Sequence, residues 1–122
     1  MKIRIKENTL RYRLSKSEVS KLAEDGMLEQ RTEFINSVLI YAIRETDKED
    51  MSADFIQNKI TLYVPKKSLE YWTNGNDVGI DFNMPLLNGD ELYLLLEKDF
   101  KCIDMDAKED QSDYFENPLK TC

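Results

Sequence analysis

The sequence predicts an α+β fold, mostly antiparallel, built from two tandem β-β-α-β-β units. Three observations carry that prediction. Apolar and charged residues alternate over short stretches near the start and again in the middle of the chain, the period-two signature of strands with one buried face. Each pair of such stretches runs into a helix-start signal followed by apolar residues at helical spacing. The same order of features returns after fifty positions.

In the first unit, Ile3 and Ile5 alternate with Lys2, Arg4 and Lys6, and Leu10, Tyr12 and Leu14 alternate with Arg11 and Arg13. The intervening Glu7-Asn8-Thr9 reads as a tight turn, because asparagine tolerates the left-handed conformation that hairpins require. Ser15, with Glu18 three residues on, makes a capping box. Val19 and Leu22 share a helix face, and Gly26 is the natural stop. Leu28 to Ile35 and Val38 to Ile43 follow as strands across an Asn36-Ser37 turn. The charged stretch from Glu45 to Asp50 reads as an exposed linker.

The second unit repeats the pattern. Phe55 stands where Ile5 stood, Asn58 where Asn8 stood, and Ile60, Leu62 and Val64 match Leu10, Tyr12 and Leu14. Leu69 and Trp72 match Val19 and Leu22, which places Trp72 in a buried helix stripe. Pro65 replaces Ser15 and starts the helix by fixing φ at about −65°. Gly75 falls one position short of Gly26. Val78 to Phe82 and Leu92 to Leu96 then make strands joined through Pro85 to Gly89, whose Asn88-Gly89 is a strong turn signal. The expected division is a unit over 2–45, a linker over 46–52, a unit over 53–100 and an irregular acidic extension over 101–122. Neither half alone buries its apolar faces, so both are expected to form one pseudo-symmetric, barrel-like domain spanning 1–122.

Composition narrows the function. The longest apolar run, Leu92 to Leu96, is far short of the ~20 residues a membrane helix needs. The opening Met1-Lys2-Ile3-Arg4-Ile5-Lys6 lacks the apolar core of a signal peptide, so a cytoplasmic setting with no membrane partner is expected. The chain has no histidine, which removes His-based acid–base chemistry and Ser–His or Cys–His nucleophile pairs. Neither GxGxxG nor GxxxxGK[ST] occurs. Cys102 is the candidate thiol, with the cations Lys98 and Lys101 nearby in sequence, but it has no histidine to activate it. Binding or interaction without catalysis is the expected role, as a monomer or homodimer, with a protein or a small ligand as partner.

The net charge of −7 disfavours nucleic acid on average. It is unevenly spread. Lys2, Arg4, Lys6, Arg11, Arg13, Lys16 and Lys21 crowd the start, whereas Asp104, Asp106, Glu109, Asp110, Asp113 and Glu116 crowd the end. The acidic tail is therefore expected near the basic start, anchored by Phe115 and Pro118 with Tyr114 alongside. Arg11 and Arg13 share a strand face, joined by Arg4, and such a row suits phosphate or a partner's carboxylates. The second unit has Thr61 and Tyr63 at the positions of Arg11 and Arg13, so a symmetric DNA-reading surface is lost. The alternative site is in the tail. Cys102 and Cys122 with Asp99, Asp110 and Asp113 offer thiolates and carboxylates for zinc or iron, although no Cys-x-x-Cys pair is present. Set against it are a buried Cys102 with a free terminal Cys122, and a Cys102–Cys122 disulfide, which a reducing cytoplasm disfavours.

Two resemblances add to this. The segments Glu7 to Leu14 and Gln57 to Lys66 resemble the hairpin and Pro-Lys helix start of AbrB- and MazE-type transition regulators and antitoxins, which build a swapped-hairpin barrel from two identical chains. That likeness implies a barrel made here by a tandem copy, and a nucleic-acid-binding regulator as a further alternative. The acidic charge and long tail depart from it. The whole chain also resembles a family of small bacterial proteins of unknown function, through Met1 to Lys6, Asp77-Val78-Gly79-Ile80, Glu97 to Cys102, Glu109-Asp110, Asp113, Phe115, Asn117-Pro118 and Cys122. It implies a free-standing domain and no particular activity.

Overall fold

The alternating stretches become strands and the capped stretches become helices. A computed structural model, describing residues 1–100 and 112–116, gives the order β1 (Lys2–Lys6), β2 (Thr9–Leu14), α1 (Lys16–Asp25), β3 (Met27–Glu33), β4 (Val38–Thr46), β5 (Ser52–Ile56), β6 (Lys59–Pro65), α2 (Lys66–Asn74), β7 (Gly79–Pro85) and β8 (Glu91–Lys98). The expected linker is shorter than its charge suggests. β4 runs on to Thr46, where the Glu45 amide donates to the Gly26 carbonyl at 2.9 Å, and Met51 is buried.

The repeat is visible in the pairing. In β1–β2, Arg4 faces Arg11 and Ile5 faces Leu10; in β5–β6, Asp54 faces Thr61 and Phe55 faces Ile60, the same register fifty positions on. The turns solve their geometry differently. Glu7 takes the left-handed conformation in the first, at φ 50°, and Gln57 and Asn58 take it in the second. The Asn8 and Asn58 carbonyls then play equivalent parts, accepting the amides of Tyr93 and Ile40 at 2.9 Å each.

The strands form two four-stranded sheets, ordered β1-β2-β8-β7 and β3-β4-β6-β5. Each sheet takes the first hairpin of one unit and the second hairpin of the other. β2 meets β8 in parallel and β4 meets β6 in parallel, while the four hairpin pairings are antiparallel, so the antiparallel majority holds within two mixed sheets. Parallel central strands put all four hairpin turns at one end. Both helices, which carry the chain between sheets, therefore lie at the other. Side chains meet where the sheets adjoin. The Ala53 amide of β5 donates to Met84 Sδ of β7 at 3.4 Å, and the N-terminal ammonium donates to Gln30 Oε1 of β3 at 3.1 Å.

One buried cluster joins β2, β4, β6 and β8 to both helices, with Tyr12, Leu14, Ile43, Leu62, Val64 and Leu94 completely enclosed. The pseudo-equivalent helix residues Leu22 and Trp72 are also completely enclosed. The helix stops differ. Gly26 closes α1 in the left-handed region at φ 72°, donating its amide to the Leu22 carbonyl at 2.9 Å. Gly75 closes α2 in an extended conformation, and its carbonyl accepts the Lys98 ammonium at 2.9 Å. Pro65 ends β6 and caps α2 rather than entering the helix.

The start of α1 gathers carboxylates. Glu18 accepts the Ser15 amide at 2.9 Å, as the capping box anticipates, and also Gln30 Nε2 at 2.8 Å and the N-terminal ammonium. From the tail, Asp113 accepts the Ser17 hydroxyl at 2.6 Å and the Ser17 amide at 3.2 Å, where the helix dipole favours an anion. Burial pushes the Glu18 carboxyl up, but its hydrogen bonds and the nearby ammonium outweigh that and hold it below its usual value. The Ser17 hydroxyl, foremost among several donors, likewise holds Asp113 low. A carboxyl depressed in the folded state contributes stability above its unfolded pKa and loses it as pH falls through the folded value. Stability is therefore expected to decline below about pH 4.5, and Glu18→Gln should flatten that decline. Urea midpoints measured from neutral pH into acid check this; identical acid limbs for the two proteins would refute it.

Candidate anion-binding face

Alternation sends every second residue of the β1-β2-β8-β7 sheet away from the core, and the register arranges these residues in three rows. Lys2, Arg13, Glu97 and Gly79 make the row nearest the helices; Arg4, Arg11, Leu95 and Asp81 the middle one; Lys6, Thr9, Tyr93 and Asn83 the row nearest the turns. The β1–β2 half of this face is thus basic, with Lys2, Arg4, Lys6, Arg11 and Arg13. Toward the turns, exposed Glu91 stands beyond these rows across from Pro85; within them the β8–β7 half supplies two carboxylates, Glu97 and Asp81.

Those carboxylates are engaged. Glu97 Oε1 accepts Arg13 Nε and lies 3.6 Å from Arg11 Nε. Asp81 Oδ2 accepts the Tyr93 hydroxyl at 2.8 Å, and this hydrogen bond is the main reason the Tyr93 phenol titrates above its usual value. Lys2 is held at the opposite corner, 3.1 Å from Asp99 Oδ2, while its ammonium donates to the Tyr114 hydroxyl at 2.6 Å. No ion pair among the described residues involves Arg4 or Lys6. Yet Arg4 stands directly across from Arg11, an arrangement of like charges that costs stability on a sheet. Together with Lys6, Thr9, Leu10 and Tyr93, these two arginines line a cleft of about 270 Å³.

The sequence reading thus identified Arg4, Arg11 and Arg13 as one face, and the structure brings them together. It missed Lys6 and Tyr93. Lys6 was legible as the next outward residue after Arg4. Tyr93 reaches the cleft only through the parallel pairing of β2 with β8, which no local pattern announces. The equivalent hairpin of the second unit places Ser52, Asp54, Ile56, Lys59, Thr61 and Tyr63 on the corresponding face, where Thr61 is buried and Lys59 is paired with Glu29 at 2.6 Å. The core equivalence survives between the units, but the basic face exists on one sheet alone.

A family model described as a family of unknown function (DUF7009) matches residues 1–119. The chain belongs to the DUF7009 family. Neither the curated proteins nor the solved structures give a match. The DUF7009 match spans both β-β-α-β-β units and the described piece of the tail that caps α1.

In this DUF7009 chain two of the proposed metal ligands have protein partners. Asp99 is nearly buried against Lys2; its amide donates to the Leu14 carbonyl at 2.8 Å, and its carbonyl accepts the Phe115 amide. Asp113 sits at the start of α1. Asp110, Cys102 and Cys122 lie outside the described residues, as does Pro118. Among the described residues no group of three or more metal-ligating side chains gathers. The expected aromatic anchor is present: Phe115 packs edge-on against Phe100 with ring centres 5.7 Å apart, and the Lys98 ammonium lies 5.5 Å from both the Phe115 and Trp72 rings. Burial lowers the pKa of that lysine. No helix among the described residues is long and apolar enough to cross a membrane.

Proposed function

We propose that this DUF7009 chain is a binding module that takes a carboxylate-bearing partner on the basic face formed by Arg4, Lys6 and Arg11. The observation that carries this reading is the Arg4–Arg11 pairing, two guanidinium groups set across from each other with no carboxylate on Arg4 among the described residues. Such a pair is poorly placed for stability and well placed for a ligand, because guanidinium grips a carboxylate through two parallel hydrogen bonds. In an otherwise acidic chain, a local basic field also steers an anionic partner to one surface.

A deca-glutamate peptide, titrated calorimetrically, is the first probe. It should bind in low salt and weaken as salt rises. Arg4→Glu or Arg11→Glu should each weaken it at least tenfold, since a hydrogen bond to a charged group is worth about 1.5–3 kcal/mol. Unchanged binding in both variants would overturn the reading, as would a preference for duplex DNA over the peptide at matched salt.

A further inference from the structure

The helices cover one end of the fold, and the hairpin turns leave the other open. There Ile5, Phe55, Ile60, Met84, Leu86 and Leu92 line an apolar cleft of about 320 Å³, with Glu7, Thr9 and Asp54 also in its wall. Ile5 and Phe55 hold equivalent positions in the two units and point to the core side of their strands. They are nevertheless 61% and 68% exposed, which places them at a mouth rather than in the packed interior. The same end exposes Phe34, Ile35 and Leu87 in two of the turns. An apolar surface of this kind, edged by polar groups, marks a contact site.

The apolar cleft adjoins the basic one. Thr9 and Leu10 line both, so the tip of the β1–β2 hairpin separates a guanidinium-rich hollow from an apolar one. We propose that the partner held on the basic face is an extended acidic peptide segment carrying one large apolar residue, and that this residue seats in the cleft between Ile5 and Phe55. The inference rests on the binding role assigned to the basic face and specifies the ligand. Size, charge and continuity agree on this occupant. The cleft lies at the small end of the roughly 300–1,000 Å³ typical of ligand pockets, suited to a side chain rather than a cofactor. Charge complementarity comes from the adjoining hollow, where Arg4, Lys6 and Arg11 face the acidic flanks, while Glu7 and Asp54 in the wall of the apolar cleft leave it to an uncharged side chain. A buried apolar anchor ringed by charge pairs is also the usual energetic plan of a peptide contact.

The test compares two peptides of equal length and charge: glutamates around a central Leu-Phe, and glutamates around a central Gly-Ser. The Leu-Phe peptide should bind the intact chain at least tenfold more tightly. Phe55→Gln should abolish that advantage while leaving the Gly-Ser peptide's affinity unchanged. Ile5→Gln, at the equivalent exposed position, should do the same, which guards against a folding defect in either variant. Equal affinity of the two peptides for the intact chain would overturn the apolar anchor and leave the basic face standing. Failure of both peptides to bind would overturn both. Self-association of the intact chain that Phe55→Gln abolishes, with no advantage for Leu-Phe, would assign the cleft to a second copy and also overturn the peptide.

Discussion

Trp72→Ala is expected to destabilise the chain by about 3–5 kcal/mol, the range for removing a fully buried large aromatic. Trp72 is completely enclosed, and its indole nitrogen donates to the Val78 carbonyl at 3.2 Å. The same carbonyl accepts the Lys98 amide at 2.9 Å, so the indole fastens the entrance to β7 to the end of β8. It also forms one face of the setting for the Lys98 ammonium, 5.5 Å from its ring. Removing the ring opens a cavity and takes away an aromatic face beside that lysine. Trp72→Leu, which copies Leu22 at the equivalent place, should cost less. Urea unfolding measures both, and a loss under about 1 kcal/mol for the alanine variant would show that the two helices do not share the core equally.

The second large effect belongs to Tyr12. Its side chain is completely enclosed, and its hydroxyl donates to the Ile60 carbonyl at 3.0 Å, linking a central strand of one sheet to a central strand of the other. Tyr12→Ala should cost about 3–5 kcal/mol through the cavity. Tyr12→Phe isolates the hydroxyl and should cost about 1–3 kcal/mol for a buried carbonyl left without its donor. Burial, the leading cause, pushes the phenol well above its usual value. A group whose pKa is raised by folding contributes stability that is complete below the unfolded value of about 10 and declines above it. The intact chain should therefore lose stability more steeply than Tyr12→Phe as pH rises past about 10. Parallel alkaline limbs would show that the enclosed phenol does not couple to folding.

Local chemistry made most elements legible. The alternation of Ile3 and Ile5 with basic residues, the Ser15–Glu18 spacing and the Gly26 stop each act within one turn or strand, and each appears where the sequence places it. The left-handed turn residue was misplaced because Glu7 adopts a conformation its side chain does not advertise, held by the hairpin on both sides. The parallel pairs β2–β8 and β4–β6 had no local signature, since they join segments far apart in sequence, and Tyr93 entered the cleft through one of them. The destination of Asp113 was hidden for the same reason. The sequence offered its carboxylate as a metal ligand, and nothing local announced that it accepts the Ser17 hydroxyl at the start of α1.

The interchange of hairpins also sets an order of events during synthesis. All four strands of the β3-β4-β6-β5 sheet come from one continuous stretch, 27–65. The other sheet joins residues from the two ends of the chain, because β2 pairs with β8. A chain emerging from a ribosome can therefore complete the first sheet early, whereas the second waits for its last strand. Until then β2 presents an unpaired edge, the kind of surface that recruits stray strands. Its two arginines give that edge like charge, which discourages β2 from pairing with another copy of itself while Glu97, the carboxylate that answers them, is still to be made.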